Sequence, residues 1–133
     1  MVKKRILAID DSAIVLKQLQ NILDKKFEFV GVTSGLAGLK RLDAEVFDLV
    51  LLDIEMPVMD GFATLTSIRQ RENLKDLPVI ILTGTRHKQK VIKGITSGVH
   101  GYVVKPADSE LLLTKIETAL GLRLKNCRNR ANM

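Results

Sequence analysis

Only one cysteine, Cys127, occurs in the 133 residues, so no disulfide can form within the chain. A lone thiol in a basic stretch reads as an unpaired bystander and fits a reducing cytoplasm. Long apolar runs are also missing. None approaches the roughly 20 residues that a membrane-crossing helix needs. Lys3-Lys4-Arg5 has the charge of an export-signal start, but the apolar segment Ile6–Ile9 stops at once in Asp10-Asp11, too short for the signal's core. The expected location is therefore the cytoplasm, with no membrane partner. Histidine is scarce as well. His87 and His100 form no Cys/His cluster that would favour a transition metal, and both are read as solvent-exposed. No repeat or low-complexity segment interrupts the chain.

The positive charge is unevenly placed. Residues 122–133 hold Arg123, Lys125, Arg128 and Arg130 and no acidic residue. The net charge of +6 thus leaves only +2 on the other 121 residues. High basicity belongs to a tail, and that tail has no aromatic residues for base stacking. Direct nucleic-acid binding by the domain is not expected. The apolar share of 46% and charged share of 27% are ordinary for one globular domain of this size. The expected division is a single domain over 1–122, then 123–133 as a basic tail or the start of a linker.

Five short runs rich in β-branched or aliphatic residues follow one another: Ile6–Ile9, Phe29–Val32, Leu49–Leu52, Val79–Leu82 and Tyr102–Val104. Three are apolar throughout, as strands buried on both faces of a parallel sheet are. Helical spacing fills the gaps. Val15, Leu19, Ile22 and Leu23 share one face; so do Leu36, Leu39 and Leu42; Phe62, Leu65 and Ile68; Val91, Ile92 and Ile95; and Leu112, Leu113, Ile116 and Leu120. These faces read as core packing. Five βα units in a row predict an α/β doubly wound, flavodoxin-like fold, with five helices flanking a five-stranded parallel sheet. The order 2-1-3-4-5 is taken from the general pattern of such sheets. Ligands then bind where the order reverses, outside the carboxyl ends of strands 1 and 3.

Those ends carry acid. Strand 1 runs into Asp10-Asp11, and strand 3 runs into Asp53. Like charges brought together need neutralising. Oxygen-only ligands favour Mg²⁺, Mn²⁺ or Ca²⁺ over zinc. Strand 4 ends in Thr83-Gly84, a hydroxyl and an open backbone N–H, and strand 5 ends in Lys105-Pro106. Carboxylates, hydroxyl, N–H and ammonium at one sheet edge suit phosphoryl transfer, in which positioning and charge neutralisation dominate. A carboxylate can itself be the nucleophile and form an aspartyl-phosphate. Each residue alone has a plainer reading. Asp10, Asp11 or Ser12 could simply cap the first helix, and Asp53 could be a turn residue. Their coincidence at successive strand ends favours a site.

The stretches Ile6–Asp11, Leu51–Gly61 with its D-x-x-M-P-x-M-D-G pattern, Ile80–Gly84 and Gly101–Pro106 together resemble the receiver domains of bacterial two-component response regulators, over roughly residues 4–121. The resemblance implies that Asp53 is the phosphoacceptor. It implies that Asp11 and Asp53 ligate Mg²⁺, with Mn²⁺ as a substitute, that Asp10 acts through an ordered water, and that the Glu55 backbone carbonyl joins them. Lys105 would pair with Asp53 or its phosphoryl oxygens, Thr83 would turn its hydroxyl to the phosphoryl group, and the Gly84 N–H would bind it. Tyr102 would move between exposed and buried positions with Thr83, and the Lys105–Pro106 bond would be cis. Implied partners are a sensor histidine kinase or phosphotransfer protein, and an effector domain or protein on the face made by the fourth helix, fifth strand and fifth helix. Homodimer formation on phosphorylation stays open. The module would catalyse only its own phosphorylation and dephosphorylation and would not otherwise be an enzyme.

Individual residues add detail. Glu55 and Thr85 lie two residues beyond Asp53 and Thr83 and are expected to influence aspartyl-phosphate lifetime. Arg86, Lys88, Lys90 and Lys93 make the fourth helical stretch basic, either a solvated face or a surface for an acidic partner. Gly101 stands where dimerising relatives commonly carry acid. The rival enzyme reading is an aspartate-nucleophile phosphatase of the haloacid dehalogenase type. That family needs D-x-D after the first strand, whereas this chain has Asp10-Asp11-Ser12.

Overall fold

A computed structural model describes residues 3–56, 58–84, 99–105 and 108–122. In chain order these form β1 (Arg5–Ile9), α1 (Ala13–Leu23), β2 (Glu28–Val32), α2 (Gly35–Ala44), β3 (Leu49–Asp53), α3 (Gly61–Gln70), a 3₁₀ turn (Glu72–Leu74), β4 (Val79–Thr83), β5 (Gly101–Val104) and α4 (Ser109–Ala119). The fifth predicted helix is α4. The fourth predicted helix, Thr85, Pro106 and the 123–133 tail lie outside the described residues.

The sheet is parallel throughout, in the expected order β2-β1-β3-β4-β5. Apart from Arg5, Asp53 and Thr83 at their ends, its central strands β1, β3 and β4 are apolar because both faces are covered. Leu7, Ile9, Val50, Leu52, Val79 and Ile81 face Leu39 and Leu42 of α2 and Leu65 and Ile68 of α3. The alternate residues Ile6, Ala8, Leu49, Leu51, Ile80 and Leu82 pack with Leu19 and Leu23 of α1 and Leu112 and Ile116 of α4. Burying each such large side chain stabilises the fold by about 1.5–3 kcal/mol.

Polar caps set where the helices begin. The side chains of Ser12, Ser34, Asp60 and Asp108 accept backbone N–H groups in the first turns of α1, α2, α3 and α4. Such a cap contributes about 1 kcal/mol. On α2 one expectation fails. Leu36 is 57% exposed, and the core face is built instead from Gly35, Gly38, Leu39 and Leu42. Gly38 lets the helix approach Ile9 so closely that a Cβ would overlap that side chain.

Register fixes the functional edge. Ile9 pairs with Leu52, Asp53 with Leu82, and Thr83 with Val104. Asp10, Asp53, Thr83 and Lys105 therefore emerge at one end of the sheet. The opposite end is closed by Arg5, which pairs with Glu28 and Glu45 and lies over the Phe47 ring.

Candidate functional site

The two buried carboxylates are oriented by their own backbone. Asp10 Oδ1 accepts the Ser12 N–H at 2.9 Å, and Asp53 Oδ1 accepts the Glu55 N–H at 3.0 Å. Each is a tight side-chain turn of the kind aspartate favours. Both Oδ2 atoms then point to Lys105, whose Nζ lies 2.8 Å from Asp10 and 3.4 Å from Asp53. The lysine thus sits nearer Asp10 than the expected partner Asp53. Among the described residues neither Oδ2 has a hydrogen-bond donor beyond this ammonium.

The electrostatics are under-compensated. Asp10 and Asp53 are 0% and 1% exposed. Burial pushes the Asp53 carboxyl up to about 6, helped by the charge of Asp10; the Glu55 N–H and Lys105 pull the other way without prevailing. Burial also opposes the Lys105 charge, but pairing with Asp10 and then Asp53 leaves the ammonium above its ordinary value. One cation between two buried anions leaves net negative charge. Exposed Asp11 adds to it, and carboxylate oxygens from Asp10, Asp11 and Asp53 all lie within 4.8 Å of one another. Two buried carboxylates that share one lysine, converging with a third acid, fit a hard divalent cation. They offer nothing that selects magnesium over manganese.

Glycines shape the wall. A Cβ on Gly61 would overlap the Asp53 carbonyl oxygen and the Ile54 Cα, so only glycine lets α3 start this close to the end of β3. Between them Val58 has φ 67° and is fully solvent-exposed, an uncommon conformation for a β-branched residue.

The remaining expected residues fall around this centre. Thr83 is fully buried at the end of β4, and its carbonyl accepts the Lys105 N–H at 2.7 Å. Tyr102 is half-buried against the α2–α3 side of the core, with Lys115 Nζ 5.9 Å from its ring centroid. His100 is exposed, as expected. The unforeseen contact is at Gly84. Its N–H donates to Glu55 Oε1 at 3.0 Å. The acid two residues past Asp53 was visible in the sequence, but not that it would occupy this donor.

Comparison with known proteins agrees with the geometry. The family described as response regulator receiver domain matches residues 6–117. A two-component response regulator of rice is 40% identical over 96% of this chain, which spans only a fifth of that protein. The chemotaxis protein CheY of Pseudomonas aeruginosa is 34% identical, with 85% of this chain covering 93% of it. The crystal structure of Vibrio cholerae CheY4 superimposes with a TM-score of 0.81 at 28% identity, covering 89% of this chain and 99% of that one. The family match covers most of the chain, and the chain belongs to the response regulator receiver domains.

Proposed function

We propose that Asp53 is the phosphoacceptor of a two-component signalling switch and that it works beside a divalent cation held by Asp10, Asp11, Asp53 and the Glu55 carbonyl. The observation that carries this reading is the pair of buried, donor-poor carboxylates facing one lysine. Mg²⁺ is the cation of choice, since hard oxygen ligands suit it and it is the usual companion of phosphoryl groups. When bound, it would neutralise charge on the transferring group.

The chain's own residues do the rest. Glu55 N–H holds Asp53 Oδ1, which leaves Oδ2 to attack phosphorus. The bond from phosphorus to the donor's nitrogen or oxygen breaks, and the leaving group departs with those electrons. Lys105, Thr83 and the Gly84 N–H would receive the phosphoryl oxygens. Phosphorylation replaces one charge with about −1.5 to −2. That surplus draws Thr83 and Lys105 inward, and Tyr102 on β5 carries the change to the surface formed by β5 and its flanking helices. The donor is a sensor histidine kinase or phosphotransfer protein, the reader is an effector domain or protein, and the setting is the cytoplasm. The domain turns over no other substrate.

The test is labelling with acetyl phosphate. Expected is one phosphoryl group per chain by intact-mass spectrometry, dependent on Mg²⁺ and absent in Asp53→Asn. Sustained hydrolysis of small phosphomonoesters would instead favour the phosphatase reading.

A further inference from the structure

We infer that the Glu55 side chain is an internal competitor for the phosphoryl site: its carboxylate occupies the Gly84 N–H in the unphosphorylated protein and must leave before a phosphoryl oxygen can bind there. The inference rests on the phosphoacceptor reading and adds a regulatory contact to it.

Four points carry it. The Gly84 N–H donates to Glu55 Oε1 at 3.0 Å across a separation of 29 residues. A carboxylate is chemically close to a phosphoryl oxygen: both are anionic acceptors that attract the same donor. The contact also joins the two strand ends that the switch must couple, since Glu55 follows β3 at Asp53 and Gly84 follows β4 at Thr83. Glu55 is exposed, so it can swing out to water.

The consequence is kinetic. A backbone N–H aimed at developing negative charge accelerates the transfer only when it is free to point there. While Glu55 holds it, each phosphorylation event includes breaking that bond. Glu55 therefore sets how readily the domain is charged, independently of the partner. After transfer, the phosphoryl group holds Gly84 and the displaced Glu55 carboxylate is repelled into solvent. The β4 end is thus bound by one anion or the other, never by both.

Simple charge repulsion of an anionic donor predicts something different. Under repulsion Glu55→Gln and Glu55→Ala accelerate phosphorylation equally. Under competition they differ, because glutamine still offers an oxygen to Gly84 while alanine offers none. A charged acceptor bonds roughly twice as strongly as a neutral one. Expected with acetyl phosphate is acceleration of about fivefold for Glu55→Gln and about tenfold or more for Glu55→Ala. Equal rates in the two variants, or no acceleration in either, overturn the competition.

A second readout does not depend on phosphorylation. The amide proton of Gly84 in a ¹⁵N–¹H spectrum should shift upfield in Glu55→Ala and to a smaller extent in Glu55→Gln. An unchanged Gly84 resonance shows that the contact does not exist and ends the proposal. Labelling of Asp53→Asn equal to wild type removes the phosphoacceptor reading itself, and with it the competition, even if Gly84 shifts as expected.

Discussion

Replacing Asp53 by asparagine should stabilise the metal-free protein at neutral pH. Burial lifts the Asp53 carboxyl from 3.8 to about 6, so the folded state binds a proton that the unfolded chain has already released. Stability from this group is fully present below about pH 4 and is lost as pH rises through about 6. The shift of about two units corresponds to roughly 3 kcal/mol lost by pH 7. Asparagine keeps an oxygen for the Glu55 N–H and removes the charge, while Lys105 retains Asp10. Urea denaturation of both proteins in chelator, from pH 4 to pH 8, isolates the effect as a difference. Asp43 and Glu45, held below the usual carboxylate range by hydrogen bonds from Arg71 and Arg5, destabilise the fold as pH falls, but equally in both proteins. The expected difference is near zero at pH 4 and about 3 kcal/mol in favour of Asp53→Asn at pH 7, roughly 10 °C in thermal midpoint for a domain this size. A difference that stays flat across this range refutes the account of Asp53 as a desolvated, under-compensated anion.

The same surplus charge predicts that Mg²⁺ raises the thermal midpoint of wild type, by about 1.4 kcal/mol at tenfold excess over its Kd, with a smaller rise in Asp11→Asn or Asp53→Asn. Equal rises in all three proteins place the ion elsewhere. Gly61→Ala forces a methyl group into the Asp53 carbonyl and should cost about 3 kcal/mol in urea denaturation; a cost under about 1 kcal/mol means that α3 moves freely away from the site. Val58→Asn exchanges a strained residue for one that tolerates positive φ, and should raise stability by about 1 kcal/mol without lowering phosphorylation; lower stability argues against a left-handed Val58.

The sheet was legible because burial on both faces leaves an unmistakable mark. Leu49–Leu52 and Val79–Leu82 are apolar at every position, and only a covered parallel strand uses such a run economically. The acids, hydroxyl and lysine were legible for a related reason: each lies at or just past the carboxyl end of a strand, so strand ends and site residues were located together. What escaped depended on shape. Leu36 fits the helical spacing of α2 but points to solvent, because glycines at 35 and 38 bring the helix so near Ile9 and Thr64 that small size, not hydropathy, decides the core face. A hydropathy pattern cannot register a residue that contributes by having no side chain. The Glu55–Gly84 bond escaped because it joins two separate strand ends through one rotamer. Val58 escaped because nothing in its neighbours demands a left-handed backbone.

The two ends of the sheet differ in a way that fits the phosphoacceptor role proposed for Asp53. At the amino end Arg5 meets Glu28 and Glu45 and covers Phe47, so its charge is answered and it is held above its ordinary value by those hydrogen bonds. The same sequence, with the same strands, leaves two wholly buried carboxylates to one lysine at the carboxyl end. Selection for stability alone would neutralise or expose one of them, as a single Asn would do. A buried anion kept at a cost of about 3 kcal/mol makes sense where the missing positive charge arrives from outside as a cation, and where the carboxylate must stay ionised and free on one oxygen to attack phosphorus. The strain at Val58 and the occupied Gly84 donor lie at this same edge. Departures from the most stable arrangement concentrate where chemistry requires them, and here they surround Asp53.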